Sequence, residues 1–543
     1  DAYRTERSQV EVQAERVTEF VRQQVQTSAP ASGLSAAILD DAYATLARQF
    51  DHEHGGFGTA PKFPPAMALE FLLRYHDRTG ETDALTMVES TLAHMATGGI
   101  YDQIGGGFHR YSVDNRWLVP HFEKMLYDNA LLARVYLHAY QVTGAPFYRR
   151  VVEETLDYVN REMLDSAGGF YSTLDADSEG EEGKYYVWSE EEFDDVVGSD
   201  DAPMLRDSFG VTPRGNFEGK TILTLSADPN GVAAAQGISS ERLAEIVARG
   251  QARLLAARGG RVRPGLDDKV LSAWNGLMLR SFAEAARVLG RQEDREVAEG
   301  NAAFLVGEMW REDILYRVYK DGETRIAGVL GDYAAVADGL LALYEATFDV
   351  RWFTAARDIA SAMVDRFWDE DQQTFFDAAR DGESLVVRPR DTWDNATPSG
   401  TSLACQTLLR LWALTDDPDY ERIARTTLQS MGEAMGQLAS GMGNLLCALD
   451  FYLAPPQNVA VIGDPNGEDT ARLVAPLHAR YLPNAVLALA HPEDTEAQLA
   501  IPLLAARPAV DGRATAYVCR GFTCELPTTD PDTMLRQLGV APA

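Results

Sequence analysis

Six times along the 543-residue chain, an apolar segment of helical period is introduced by a polar motif and followed, after a very short link, by a second helix. The clearest copies open at Tyr127-Asp128-Asn129-Ala130, Trp274-Asn275-Gly276-Leu277, Asp332-Tyr333-Ala334 and Pro398-Ser399-Gly400, each leading a stretch with Leu, Ala and aromatics at i, i+3, i+4 and i+7. Fainter copies run from Pro64-Pro65 to Thr79-Gly80 and from Gly443-Asn444 to Pro455-Pro456. Small turns such as Thr143-Gly144, Leu289-Gly290 and Asp416-Asp417-Pro418 end these helices. Partner helices are predicted near Asp83, Pro146, Gln292, Arg351 and Asp419, and the segment Leu34 to Phe50 supplies the last. Twelve helices in six pairs predict a mainly α fold, an (α/α)6 toroid.

The links between the helices are unequal. Within a pair the turn is a few residues, as at Gly144-Ala145, too short to carry more than a cap. Between pairs the chain runs long, from Thr97 to Pro120, Asp165 to Asp268, Arg311 to Gly331 and Asp369 to Thr397. All these connections fall on one rim, where the N-termini of the inner helices leave N–H groups unpaired. Chemistry is expected there, and scaffold at the opposite end.

Composition excludes several classes of function. A formal charge of -33 repels nucleic acid and anionic membranes, and no basic patch offsets it. No apolar run approaches the roughly 20 residues that span a bilayer, and no signal-like apolar stretch opens the chain. A cytoplasmic protein is the expectation. Of four cysteines, Cys405 and Cys447 sit in apolar helical segments and read as buried small hydrophobes. Cys519 and Cys524 form a CxxxxC pair with no further thiol or imidazole nearby, and are expected to be reduced.

Three regions are expected. Residues 1–30 read as an amphipathic helix with Val10, Val17, Phe20, Val21 and Val25 on its stripe, followed by a Ser/Ala/Pro/Gly linker from Thr27 to Gly33. Residues 31–455 hold the barrel, interrupted at about 165–268 by an insertion with a β-leaning run from Lys184 to Trp188 and two short helices. Residues 456–543 change pattern, with strands at Val459 to Ile462, Ala485 to Ala490 and Ala514 to Val518, a helix at Ala471 to Arg480 and a closing helix from Pro531. That alternation reads as a small α/β appendage.

The candidate chemistry lies in three clusters. In the first, Gly105 to Asp114 with His109, Arg110 and Asp114 leads into Pro120 to Asn129, where a helix starting near Pro120 would put His121, Lys124 or Met125, and Asp128 on one stripe. Imidazole beside carboxylate is the usual proton-transfer pairing, although Asp128 pairing with Lys124 and His121 satisfying a buried polar bond would explain the same residues. The second, Gly168 to Gly180, begins like a calcium loop but has Tyr186 where the bidentate Glu is required, leaving Asp175 and Asp177 as acid/base carboxylates or turn residues. The third comprises Asp267-Asp268-Lys269, Trp274-Asn275, Asp332-Tyr333 and Trp393-Asp394-Asn395. Aromatic faces with carboxylates and amides suit a polyhydroxylated ligand, while core packing and helix capping are the alternative roles. No motif for a metal, nucleotide or other cofactor is present.

Read together, Gly55 to Pro64, Gly105 to Asp114, His121 to Asn129, Leu174 to Trp188, Asp268-Lys269 with Trp274-Asn275-Gly276, and Tyr517 to Cys524 resemble the thioredoxin-domain-containing family related to the spermatogenesis-associated protein. The resemblance implies a thioredoxin-like domain followed by a six-hairpin, glycosidase-like toroid similar to that of N-acylglucosamine 2-epimerase. The thioredoxin-like domain and its paired cysteines are missing here, and residues 1–26 look like its last helix, so that domain is one expected partner. The function expected is acid/base chemistry on a mono- or oligosaccharide in the barrel mouth, as an epimerase or a glycosidase. His121, His109, Glu123, Asp128 and Asp175 are the catalytic candidates. Arg110, Asp114, Lys124, Asp268, Lys269, Trp274, Asn275, Asp332, Tyr333 and Asn395 are the binding candidates. The alternative is a non-catalytic holder of clients for a thioredoxin-like redox domain.

Overall fold

The computed structural model describes residues 2–26, 33–226, 228–383, 385–454, 457–520 and 523–541. The expected linker after Thr27 and the Pro455-Pro456 stop lie largely outside them. Six inner helices, Ala66–Thr79, Leu126–Thr143, Ser272–Leu289, Leu330–Thr347, Gly400–Thr415 and Gly443–Leu453, each contact the next, and the last contacts the first. That closure makes the ring a toroid. The outer layer is Ala36–Gln49, Thr82–Thr97, Pro146–Glu162, Gln292–Phe304, Val350–Phe367 and Pro418–Gln437.

The two layers differ as their burial requires. Outer helices such as Pro146–Glu162 bury one stripe, here Val151, Val152, Leu156 and Val159, whereas Leu330–Thr347 is buried nearly all round. Inner helices approach so closely that a Cβ on Gly276 would sit 2.4 Å from the Ala335 carbonyl carbon. Only glycine admits that crossing. Five inner helices end in a left-handed residue at the same place: Gly80, Gly144, Gly290, Phe348 and Asp416.

Strands of the second and third long links, with Lys124–Met125, form one antiparallel sheet over the rim, in the order Glu323–Ala327, Ile314–Lys320, Leu266–Leu271, Tyr171–Leu174 and Lys124–Met125. A recurring clip ties these links to the ring. The fourth residue of three successive inner helices accepts a buried backbone N–H from the link above: Asn129 from Phe108 at 2.7 Å, Asn275 from Phe170 at 2.7 Å, and the Tyr333 hydroxyl from Leu315 at 2.9 Å. The two asparagines also donate to the Phe108 and Phe170 carbonyls.

Several sequence expectations are corrected. No helix starts at Pro120: Pro120–His121 pairs with Tyr111–Ser112, Lys124–Met125 joins the sheet, and the helix begins at Leu126. In extended chain the side chains alternate, so Phe122 and Lys124 turn inward while His121 and Glu123 turn outward. The run from Lys184 to Trp188 is a turn, with Tyr185 and Tyr186 buried, and only Trp188 bridges to Thr221. The insertion carries four helices, Glu190–Val197, Ala202–Phe209, Pro229–Ala235 and Ser240–Arg258. Around Trp188, Phe193, Phe209 and Leu254 they build their own small core.

The terminal segment forms helices Ala2–Thr5 and Arg7–Gln26, with Val17 exposed. At the other end Ala485–Ala490, Gln457–Ile462, Thr515–Arg520 and Thr523–Cys524 form a mixed sheet, flanked by Glu468–His478 and Pro531–Gln537. Cys519 and Cys524 face each other across the last hairpin and are joined as a disulfide, not held as free thiols. Their register brings the sulfurs together, which residue spacing alone did not reveal.

The clip has a measurable cost when removed. Asn275→Ala leaves a buried N–H and carbonyl of Phe170 unpaired, and should lower unfolding free energy by about 3 kcal/mol in a denaturant titration. A loss below about 0.5 kcal/mol would show that the clip is dispensable.

Candidate functional site at the barrel mouth

The strand alternation after Tyr111 sets the site. His121, turned outward, stacks on Tyr111 at 5.1 Å between centroids, and Tyr111 lies 4.8 Å from Phe63. Its Nε2 is 3.2 Å from Glu123 and its Nδ1 is 2.7 Å from Glu182. Arg110 donates to Glu123 at 3.0 Å. The Tyr127 ring meets Trp274 edge to face at 4.8 Å. The first two inner-helix motifs therefore converge on one aromatic, charged surface.

Asp128 lies in the first turn of the Leu126–Thr143 helix, only 7% exposed, and its Oδ2 has no hydrogen-bond partner. Burial holds its carboxyl well above the usual carboxylate range; the Arg110 charge opposes this shift and Glu123 adds to it. The Lys124 pairing is not made, because the Lys124 amine points inward to Asp102 at 2.7 Å and to the Gly106 carbonyl at 2.8 Å. Asp128 thus holds its proton more tightly than an ordinary carboxyl, beside the Arg110–Glu123–His121 chain.

Other carboxyls at this end are raised as well. Asp332 accepts the Ala273 and Val329 N–H groups and pairs with Arg317 at 2.9 Å, yet burial keeps its carboxyl high. Asp377 and Asp394, which gave no separate signal as acids in the sequence, are each pushed up to about 6, chiefly by burial. Asp394 accepts the Ser399 and Asn444 N–H groups at 2.9 and 2.8 Å and thereby joins the last two inner helices. Arg317 and Glu182 were likewise missed, since only the sheet and the Asp177–Ser178 hairpin bring them to the rim.

The remaining candidates go elsewhere. His109 is buried, with Nδ1 bonded to the Phe122 carbonyl at 2.9 Å, and burial drives it down to about 3, so it stays neutral. Lys124 lies under the Tyr158 ring and, mainly through burial, is lowered to about 8; its partner Asp102 also takes Arg258 at 2.8 Å. Both belong to a buried cluster behind the mouth. Asp114 accepts loop N–H groups of Arg116 and Val119, and exposed Asp175 accepts that of Ala176. Asp268 pairs with Lys320 at 2.5 Å and Lys269 with Asp267 at 2.7 Å along the strand. Asn275 and Tyr333 are buried in the clips, and Asn395 is exposed with its amide 3.5 Å from the Trp393 carbonyl.

Six closed hairpins with an aromatic, carboxyl-rich mouth define an (α/α)6 toroid protein. No family model matches the chain. It is 35% identical over 538 residues to human spermatogenesis-associated protein 20, an alignment covering 92% of this chain and 68% of that one; the mouse protein is 34% identical over 539 residues, with the same coverages. The chain belongs to the spermatogenesis-associated protein 20 family. Among solved structures it is similar to cellobiose 2-epimerase from Spirochaeta thermophila, at 14% identity and a TM-score of 0.48, over 76% of this chain and 86% of the other. No helix among the described residues is long and apolar enough to cross a membrane.

A carboxyl raised by folding favours the native state below its unfolded pKa and loses that contribution as pH climbs through the folded value. Asp128→Asn should therefore gain thermal stability relative to the parent at pH 8, with the gap closing towards about pH 4. A gap that does not change with pH would show that Asp128 titrates as an ordinary surface carboxylate.

Proposed function

We propose that the mouth is an acid/base site for a mono- or short oligosaccharide, with Asp128 as proton donor and the His121–Glu123 pair as acceptor. The observation that carries this reading is the buried Asp128 carboxyl, with one oxygen unbonded, beside the Arg110–Glu123 ion pair; burial raises its hold on a proton. A donor and an acceptor with different proton affinities are what such chemistry needs at one pH. The faces of Phe63, Tyr111 and Trp274 supply stacking surface for a sugar ring, and Arg110 and Arg317 supply hydroxyl-directed donors. The same pair serves proton abstraction beside a sugar carbonyl or protonation of a glycosidic oxygen.

A wild-type protein incubated in D2O with glucose, mannose and cellobiose should either place deuterium at C2, read by NMR, or release reducing sugar. Asp128→Asn and His121→Ala should each cut that turnover by about 100-fold or more. Turnover retained in either variant removes that residue from the mechanism. Absence of both reactions in the wild type would favour the non-catalytic role as partner of a thioredoxin-like domain.

A further inference from the structure

The axis of the ring is ionic. Asp338 takes the guanidinium groups of Arg280 and Arg410; Glu284 accepts from Arg134 at 2.8 Å and Arg280 at 2.9 Å. Glu70 accepts from His138 Nδ1 at 2.7 Å, and Asp450 accepts from Arg78 at 2.5 Å. Glu345 lies 3.2 Å from Arg287 and 3.3 Å from Arg410. With Arg74, Arg287 and Arg480 added, seven guanidinium groups stand against these five carboxylates. In a chain of formal charge -33, seven guanidinium groups gathered round one axis, three of them buried, are a local concentration of cations.

A chamber of about 80 Å³ opens inside this network, towards the C-terminal halves of the inner helices, closed by Leu477, Tyr481 and Val486 of the C-terminal sheet unit. Five buried polar atoms on its wall have no hydrogen-bond partner: Arg74 Nε, Arg287 Nε, Glu345 Oε1, Gln406 Oε1 and His478 Nε2. Arg74, Glu345 and Gln406 are each more than nine-tenths buried. Unpaired donors and acceptors converging on one space call for an occupant bearing both kinds of group. A wider cleft of about 800 Å³ shares Gln141, Arg480, Tyr481, Leu482 and Pro483 with the chamber and gives a path from the surface.

We propose that the axial chamber binds a small polyhydroxylated oxyanion, a sugar acid or sugar phosphate, whose charge rests against Arg74 and Arg287 and whose hydroxyls donate to Glu345 and Gln406. The two guanidinium edges supply N–H donors to the anion, and the carboxylate and amide oxygens take the hydroxyl protons. The site is separate from the mouth and stands whether or not the mouth is catalytic.

Calorimetric titration of the full chain with gluconate, glucose 6-phosphate, glucitol and inorganic phosphate tests this. Saturable one-site binding of gluconate identifies a carboxylate ligand, and of glucose 6-phosphate a phosphate ligand, while glucitol and inorganic phosphate should bind at least about tenfold more weakly. Arg287→Gln and Gln406→Ala, checked as folded by circular dichroism, should each weaken the preferred ligand about tenfold or more. Either folded variant suffices if the other fails to fold. No saturable binding of either polyol anion, equal binding of glucitol, or undiminished binding in the folded variants would overturn the proposal.

Discussion

One contact supports the rest of the mouth: a polar side chain one turn into an inner helix that holds the backbone of the link above it. Asn129, Asn275 and Tyr333 each take a buried N–H, and none of those amides has an alternative partner in water. The clip fixes where the Gly105 to Phe108 and Gly168 to Phe170 segments sit, and hence where the strands that follow them enter the sheet. His121, Glu123 and Arg110 depend on that placement for their geometry. Polar residues that look like ligand contacts are here the means of building the rim.

The two ends of the toroid solve opposite electrostatic problems. At the mouth, Asp128, Asp332 and Asp394 are buried and Asp377 is partly buried, with too little positive charge nearby to offset desolvation, so their carboxyls rise. Along the axis Glu70, Glu284 and Asp338 are held low: burial acts against ionisation at Glu70 and Glu284, but His138, Arg134, Arg280 and Arg74 more than reverse it. The first arrangement raises proton affinity, and the second holds fixed charge.

Much of this was legible in the chain. Six hairpins, the unequal links and the α/β pattern after Pro456 all follow from periodicity and punctuation, which are local properties. His121 was grouped with Asp128 on an expected helical stripe, but the chain is extended where Pro120 and Lys124 join strands. Pairing with Tyr111–Ser112 and Tyr171–Leu174 overrode the helical spacing, and such partners are not local. Free thiols were expected in place of the disulfide, because the pairing depends on hairpin register. The axial arginines were invisible for another reason: on helices already read as core, Arg134 and Arg280 look like ordinary surface charges until ring closure turns them inward.

The central claim is that Asp128 in the resting protein keeps its proton beyond the usual carboxylate range. Infrared difference spectra between wild type and Asp128→Asn, recorded as the pH is raised, would show a protonated-carboxyl C=O band belonging to Asp128 that persists above that range. A band that disappears within the usual carboxylate range would contradict the account.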